Sequence, residues 1–281
     1  MTSTFTIGGD LEVRRLGFGA MRITGDGIWG PPDDPDECKR VLRRVVELGV
    51  NLIDTADSYG PEVSENLIAE ALHPYPEGLV IATKGGLRRT GPGQWPRDAH
   101  PDRLRECCEG SLRRLKLDRI DLYQLHAPDP KVPLEDSLGA LKELQDEGKI
   151  RHIGVSNVSV AQLERARALV DVVTVQNRYN LVDRATEDTL DVCESAGIGF
   201  IPWFPLAVGD LARPGGPLDE SARAHDATPG QLAIAWLLAR SPVMLPIPGT
   251  ASVEHLEQNV AAGELKIEPQ ELERLAGAVD G

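Results

Sequence analysis

The chain has 281 residues, of which 41% are hydrophobic and 26% are charged, and its formal net charge is −14 at pH 7. This composition is typical of a globular protein, and we expect residues 1–281 to form a single domain. The acidic balance argues against a nucleic-acid-binding protein and against one that adheres to anionic membranes, although it permits a locally cationic site for an anionic cofactor.

The strand pattern begins with TFTIGGDLEV, in which a Gly-Gly-Asp turn separates two β-like runs. This segment predicts a hairpin outside the repeating pattern. After it, short β-branched apolar segments alternate with longer amphipathic ones along the whole chain. The predicted strands end near Ala20, Asp54, Lys84, His126, Asn157, Asn177, Trp203 and Pro248.

Capping residues and amphipathic spacing predict helices between these strands. The clearest cover residues 37–48, 101–115, 133–147 and 228–240, and another begins near Ser252. In the helix capped by Thr228, one apolar face would comprise Leu232, Ala235, Trp236 and Ala239. Because parallel strands need crossover helices, we predict an α/β fold, a (β/α)8 TIM barrel with an N-terminal β-hairpin. An open doubly wound sheet is the alternative fold.

Polar side chains stand where the predicted strands end. Asp54, Lys84 and His126 each follow an apolar run, and Tyr59 follows Asp54 by five residues. Alone, each has an ordinary structural explanation, such as a helix cap, a lysine reaching the surface or a packed ring. In a barrel, however, the ends of the strands share one mouth, which is where catalytic groups lie.

Together these four residue types fit acid catalysis. The ordinary pKa of tyrosine is about 10, so its hydroxyl is a poor acid at neutral pH. An ammonium about 4 Å away would lower that pKa by roughly 3 at an effective dielectric of about 20. Lys84 could be that ammonium, with Asp54 keeping it charged and oriented. His126 could donate a hydrogen bond to the oxygen of a carbonyl substrate.

The sequence has no standard nucleotide-binding loop. Gly17 and Gly19 are followed by Arg22 where a dinucleotide-binding GxGxxG loop needs glycine, and no GxxxxGK[ST] run is present. Barrels often hold phosphates in the loops after strands seven and eight, here FPLAVGD and PGTAS. The second of these loops is equally typical of a simple turn.

Seven segments in chain order resemble the aldo-keto reductase superfamily over essentially the whole chain. They are NLIDTADSYG, IATKGG, LYQLHAPD, GKIRHIGVSNV, VQNRYN, PWFPLAVGD and LPIPGTASVEHLEQN. The resemblance implies NAD(P)H-dependent reduction of a small-molecule carbonyl substrate, with Tyr59 as proton donor. Lys84 and Asp54 would tune Tyr59, and His126 would orient the carbonyl.

The same resemblance assigns the cofactor site. Ser156, Asn157 and Gln176 would hold the carboxamide of the nicotinamide, and Trp203 would stack on its ring. The full cofactor set that it implies is Ala20, Met21, Asp54, Ser156, Asn157, Gln176, Trp203, Phe204, Pro205, Leu206, Gly209, Asp210, Gly249, Thr250, Ser252, His255, Gln258 and Asn259.

Two departures from the family pattern affect the cofactor. Gly249 and His255 stand where many NADPH-specific members have Lys and Arg, so the clamp on the 2′-phosphate is reduced. We still expect NADPH, with NADH as the alternative. Because a neutral imidazole holds a phosphate dianion less well than a guanidinium does, NADPH affinity should weaken at higher pH. Val158 also replaces the aromatic residue usual at that position.

The closest resemblance is to a bacterial subgroup that includes pyridoxal reductases. It is carried by GFGAMRITGDGIWGPP, ALHPYPEGLVIATKGG and IPGTASVEHLEQNVAA. Pyridoxal is therefore one expected substrate, although His126 is present here and can be missing in that subgroup. Trp29 and Trp95, in the loops after strands one and three, are expected to wall the substrate pocket beside Tyr59 and His126.

Two rival functions remain open. One is a cofactor-binding regulatory subunit similar to the potassium-channel β subunits, which share this fold. The other is a metal-dependent barrel hydrolase, but His126 has no HxH partner and we expect no metal. The four cysteines form no CxxC pair, and no signal peptide or membrane segment is apparent. We expect a cytoplasmic monomer or weak homo-oligomer.

Overall fold

The computed structural model describes residues 3–206 and 218–278. As expected, the chain begins with an antiparallel hairpin of β1 (Thr4–Ile7) and β2 (Leu11–Arg14). Gly8 sits in its turn at φ 60°, and a Cβ there would lie 2.4 Å from the His152 ring. The turn therefore needs glycine both for its backbone angle and for the close approach of that ring.

The next seven strands form one parallel sheet whose order follows the sequence. They are β3 (Phe18–Gly19), β4 (Leu52–Asp54), β5 (Val80–Gly85), β6 (Ile120–Leu125), β7 (Ile150–Ser156), β8 (Val172–Arg178) and β9 (Gly199–Trp203). The first seven of the eight predicted strand ends fall within two residues of these bounds. The first strand is shorter than expected because the residues before it pair in the hairpin.

The predicted eighth strand is replaced by an irregular segment. Residues 243–247 form a single parallel bridge, between Met244 and Phe200. Phe200 N donates to Val243 O at 2.8 Å, and Gly17 N donates to Pro246 O at 2.9 Å. The segment thus contacts both edges of the sheet, but Pro246 within it and Pro248 directly after it cannot donate the hydrogen bonds of a regular strand.

Helices connect the strands. They are α1 (Pro35–Glu47), α2 (Val63–Leu72), α3 (Pro101–Leu115), α4 (Leu134–Asp146), α5 (Val160–Arg167), α6 (Glu187–Ala196), α7 (Asp219–Ala224), α8 (Pro229–Arg240), α9 (Val253–Ala261) and α10 (Pro269–Ala278). The predicted helices agree to within two residues. Gly49 ends the first at φ 77°, and Thr228 caps α8 in a reciprocal capping box with Gln231. In α8 the predicted apolar face is buried except for Ala239, which is exposed because it lies in the last turn.

The core has an inner and an outer part. The inner cluster joins Ile7, Leu11 and Val13 of the hairpin to inward side chains of the parallel strands, so the hairpin covers one end of the sheet. The outer clusters lie between the sheet and the helices. Within the described ranges, no helix is long and apolar enough to cross a membrane. All four cysteines are buried and free.

Candidate active site

The polar side chains expected at the barrel mouth do lie together, at the carboxyl ends of the parallel strands. Strand alternation explains why they face inward. Leu52, Ala82 and Leu122 belong to the inner core cluster, and the residues two positions later on each strand point the same way. Those residues are Asp54, Lys84 and Gln124, all buried. Gln124 was not anticipated, although the same alternation could have identified it.

Lys84 contacts two other members of the predicted set, Asp54 and Tyr59. Its Nζ donates to Asp54 Oδ2 at 2.6 Å and to Thr55 O at 2.8 Å, and it reaches Tyr59 Oη at 3.4 Å. The Lys84 side chain has no exposed surface. A buried ion pair must satisfy its remaining hydrogen-bonding positions to be tolerated, and this one does.

Two amides complete the pair by binding the second carboxylate oxygen. Gln176 Nε2 donates to Asp54 Oδ1 at 2.8 Å, and Gln124 Nε2 donates to it at 3.2 Å. Gln176 was expected to hold the nicotinamide carboxamide, but here its amide nitrogen supports Asp54. Its side chain nevertheless lines the cavity described below.

The electrostatics of the site keep Tyr59 protonated. Burial works against the Lys84 ammonium, but Asp54 and Tyr59 outweigh it and raise the pKa of Lys84. Burial also raises the pKa of Tyr59 above its ordinary value, and Lys84 offsets this only in part. The direction is opposite to the one expected from Lys84 alone, because the ring is buried to a degree that the sequence did not indicate.

His126 directly follows β6 and packs edge-on against Tyr59, with ring centroids 5.9 Å apart. Burial, followed by the Lys84 charge, lowers the pKa of His126 well below its ordinary value. The imidazole is therefore neutral at physiological pH. Its Nδ1 lies 3.4 Å from Ser58 Oγ. If Ser58 donates in that contact, the remaining ring nitrogen Nε2 carries the hydrogen.

A cavity of about 790 Å³ opens over these residues. Its lining includes ten of the residues predicted for the cofactor: Met21, Asp54, Ser156, Asn157, Gln176, Trp203, Phe204, Pro205, Leu206 and Gly249. It also includes Tyr59, Trp95 and His126. Other lining residues were not predicted, notably Arg22, Leu87 and Arg97. Arg22 lies in a short 3-10 turn and the other two in a loop, where no periodic pattern indicates which side chains face inward.

Several predicted cofactor residues do not line this cavity. Ala20 is fully buried in the outer core, because it starts a 3-10 turn directly after β3. Gly249 lies at the cavity edge, and Thr250 follows it before the N-cap of α9. Ser252 is that N-cap, and His255, Gln258 and Asn259 lie within α9. Ser252 caps α9 by accepting from His255 N at 3.4 Å. Gly209 and Asp210 lie outside the described residues.

Asn157 forms hydrogen bonds that connect the ends of three strands. Its Nδ2 donates to His126 O at 2.9 Å and to Ser156 Oγ at 3.0 Å, and its Oδ1 accepts from Trp203 Nε1 at 3.1 Å. Its φ of 58° is left-handed, which asparagine tolerates better than most residues. Both ends of the amide are thus occupied by protein contacts that position the His126 and Trp203 strand ends.

Of the two tryptophans predicted to line the substrate pocket, one does so and the other does not. Trp95 lines the cavity, and its ring lies 6.3 Å from that of Tyr59. Trp29 does not line it, because its backbone bridges Gly60 while its ring packs beside Arg89. The Arg89 guanidinium stacks 3.6 Å from the Trp95 ring. It also donates to five backbone carbonyls, of Gly27, Ile28, Ser58, Gly91 and Gln94.

Asp57, in the same turn as Tyr59, is a second buried acid. Its Oδ1 has no hydrogen-bond partner among the described residues. Burial raises its pKa to about 7, and a hydrogen bond from Cys107 opposes that rise only in part. Near neutral pH the carboxyl is therefore partly protonated.

Asp57→Asn is expected to flatten the pH dependence of stability. Because the folded-state pKa is about 7 and the ordinary value is 3.8, the folded protein holds this proton more tightly than the unfolded chain does. The stabilisation is complete below about pH 4 and is lost as the pH rises through about 7, amounting to on the order of 4 kcal/mol. Urea unfolding at acidic and alkaline pH should show a smaller difference in the variant than in the wild type.

The exposed Asp118→Asn change is the matched control for Asp57 and should leave the wild-type pH profile intact. An identical profile in wild type and Asp57→Asn would contradict the assignment of this titration.

The acidic residues were also compared with metal-ligand geometry. In the part of the chain that the structure describes, no three His, Cys, Asp or Glu side chains cluster as metal ligands.

A parallel α/β sheet with this charged set at its strand ends has its polar groups where barrel enzymes hold their catalytic residues. Comparison with known proteins identifies the family. The chain belongs to the Aldo/keto reductase family, whose sequence profile matches residues 15–280.

Individual relatives agree with this assignment. An uncharacterized oxidoreductase of Schizosaccharomyces pombe is 52% identical over 95% of this chain and 87% of its own length. The pyridoxine 4-dehydrogenase of Escherichia coli is 42% identical over 98% of both chains. A crystal structure of an aldo-keto reductase from Klebsiella pneumoniae in complex with NADPH superposes with a TM-score of 0.84, at 28% identity over 98% of this chain and 94% of that one.

Proposed function

We propose that this protein is an NADPH-dependent oxidoreductase that reduces an aldehyde or ketone to an alcohol. The observation that carries the proposal is the Lys84 ammonium, which contacts both Asp54 and Tyr59 at the floor of the cavity. We also propose that residues 1–281 form one closed (β/α)8-barrel domain. The hydrogen bonds between residues 243–246 and both edges of the sheet support the closure.

In the proposed mechanism Tyr59 donates a proton to the carbonyl oxygen of the substrate. Its raised pKa keeps the phenol protonated until that oxygen becomes basic. Lys84 then stabilises the phenolate that forms, and Asp54 holds Lys84 in place. The neutral His126 donates an N–H to the same oxygen and so orients it. NADPH, when bound, supplies the hydride that reduces the carbonyl carbon.

The cavity fits such a cofactor. Its lining combines polar groups from Ser156 and Gln176 with the aromatic Trp203, which suits an amide-bearing ring. Arg22 adds a positive charge near Gly249, which suits an anionic group. We propose NADPH because the Klebsiella relative binds it, with NADH as the alternative. The adenosine end would lie toward α9, beside His255.

Pyridoxal is the first substrate to examine, because the Escherichia coli relative is a pyridoxine 4-dehydrogenase. The test is consumption of NADPH and of NADH with a panel of aldehydes that includes pyridoxal. We expect turnover with several aldehydes and a preference for NADPH. Tight NADPH binding without turnover of any substrate would contradict the proposal and favour a regulatory subunit.

A further inference from the structure

Arg97 has a position in the cavity that the proposed reaction does not use. It lines the cavity together with Leu87, Trp95 and His126. Its backbone forms an isolated antiparallel bridge with Leu87, and its Nη1 donates to Pro128 O at 3.0 Å. Because Pro128 follows His126 by two residues, this hydrogen bond holds the guanidinium beside the strand end that presents the histidine.

Most of the hydrogen-bonding capacity of Arg97 is available to a ligand. A guanidinium has five N–H donors in a planar fork, and among the residues that the structure describes the Arg97 side chain donates only to Pro128 O. Within residues 3–206 and 218–278 it forms no ion pair, whereas the adjacent Arg88 pairs with Asp98. Arg89, in the same loop, is engaged by five backbone carbonyls.

The other lining residues do not neutralise this charge. Asp54 is the one carboxylate among the described lining residues, and it is paired with Lys84. His126 is neutral because burial lowers its pKa. Arg22, the second arginine of the lining, lies in a different part of the cavity, next to Gly249. The substrate side of the cavity is therefore positively charged in a protein whose formal net charge is −14.

We propose that Arg97 selects carbonyl substrates that carry an anionic group, a carboxylate or a phosphate ester, on the side away from the reacting carbonyl. Its planar fork matches both anions. Leu87 and Trp95 would contact the apolar or planar body of the molecule between the two ends. This specificity role rests on the proposed carbonyl reduction and narrows its substrate class.

The test compares two aldehydes of the same shape, 4-formylbenzoate and the neutral 4-formylbenzamide. In the wild type, kcat/KM should favour the benzoate by roughly fivefold to tenfold, a modest factor because the guanidinium is partly hydrated. In Arg97→Gln the preference should fall to about one, with kcat/KM for the benzamide changed by less than about twofold. Arg97→Lys should retain part of the preference, because it keeps the charge and loses the fork.

Arg88→Gln is the matched control, since Arg88 is exposed, lies in the same loop and does not line the cavity. It should keep the wild-type preference. A second pair, pyridoxal 5′-phosphate and pyridoxal, separates phosphate from carboxylate recognition. Loss of preference in Arg97→Gln for either pair supports the proposal and names the anion. Unchanged ratios for both pairs would overturn it, as would a rise in the Kd of NADPH large enough to explain the loss.

Equilibrium binding separates this inference from the proposed reaction. Calorimetry with NADP⁺-loaded protein would compare the product alcohols 4-(hydroxymethyl)benzoate and 4-(hydroxymethyl)benzamide. The benzoate should bind more tightly to the wild type, and Arg97→Gln should abolish that difference. If wild-type protein reduces neither aldehyde, the proposed function fails, while the calorimetric comparison still decides the role of Arg97. If both are reduced but Arg97→Gln changes neither measurement, only the Arg97 inference fails.

Discussion

Replacing Tyr59 with phenylalanine is expected to lower kcat by about 10²- to 10⁴-fold, the usual contribution of a positioned general acid. The substitution removes the hydroxyl that Lys84 contacts at 3.4 Å and keeps the ring that packs against His126 and Trp95. The Kd of NADPH should therefore change little. Single-turnover reduction of a reactive aldehyde, beside fluorescence titration of NADPH, measures both quantities.

The pH dependence of kcat is a second test of the role of Tyr59. Because burial raises the pKa of Tyr59, wild-type kcat should hold through neutral pH and fall only in alkaline solution, where the phenol loses its proton. Tyr75→Phe is the matched control, since Tyr75 Oη donates to Leu115 O away from the cavity. Tyr59→Phe with wild-type kcat would disprove its assignment as proton donor.

Lys84→Met is expected to lower kcat strongly and to destabilise the fold. The methionine leaves the Asp54 carboxylate buried without its cation, which typically costs about 3–5 kcal/mol. Loss of the ammonium beside Tyr59 should lower kcat by at least about 10²-fold. Urea unfolding and steady-state reduction of an aldehyde measure the two effects separately.

The double variant Asp54→Asn/Lys84→Met distinguishes stability from catalysis. It removes both charges, so it should recover most of the lost unfolding free energy while remaining inactive. The amide oxygen introduced at position 54 can still accept from Gln124 and Gln176, which contact Asp54 Oδ1 in the wild type. If the double variant regained activity together with stability, Lys84 would have only a structural role.

The sequence could predict those site residues whose positions are set by regular secondary structure. Asp54 and Lys84 follow apolar strand runs, and strand alternation fixes the direction of their side chains. The same rule applies to Gln124, which could have been anticipated. The sequence predicted an eighth strand where the structure has an irregular segment. The hydrophobic pattern there is strand-like, but prolines at 246 and 248 interrupt it.

Loop positions depend on contacts that no local pattern carries. Arg97 faces the cavity because Leu87 bridges its backbone, whereas Trp29 turns from it toward Arg89. The electrostatics of Tyr59 likewise depend on how deeply neighbouring chain segments bury it. Spacing along the sequence indicates which charges are near one another and leaves the degree of burial undetermined.

The five carbonyl contacts of Arg89 have a consequence for the cost of substrate binding. Two of them, to Gly27 O and Ile28 O, join the loop at residues 25–30 to the loop at residues 88–97. The conformational entropy of both loops is thus lost when the chain folds, and a substrate need not order them again. Because one guanidinium contacts both loops, a change in the length of either loop would remove hydrogen bonds that help to order the other.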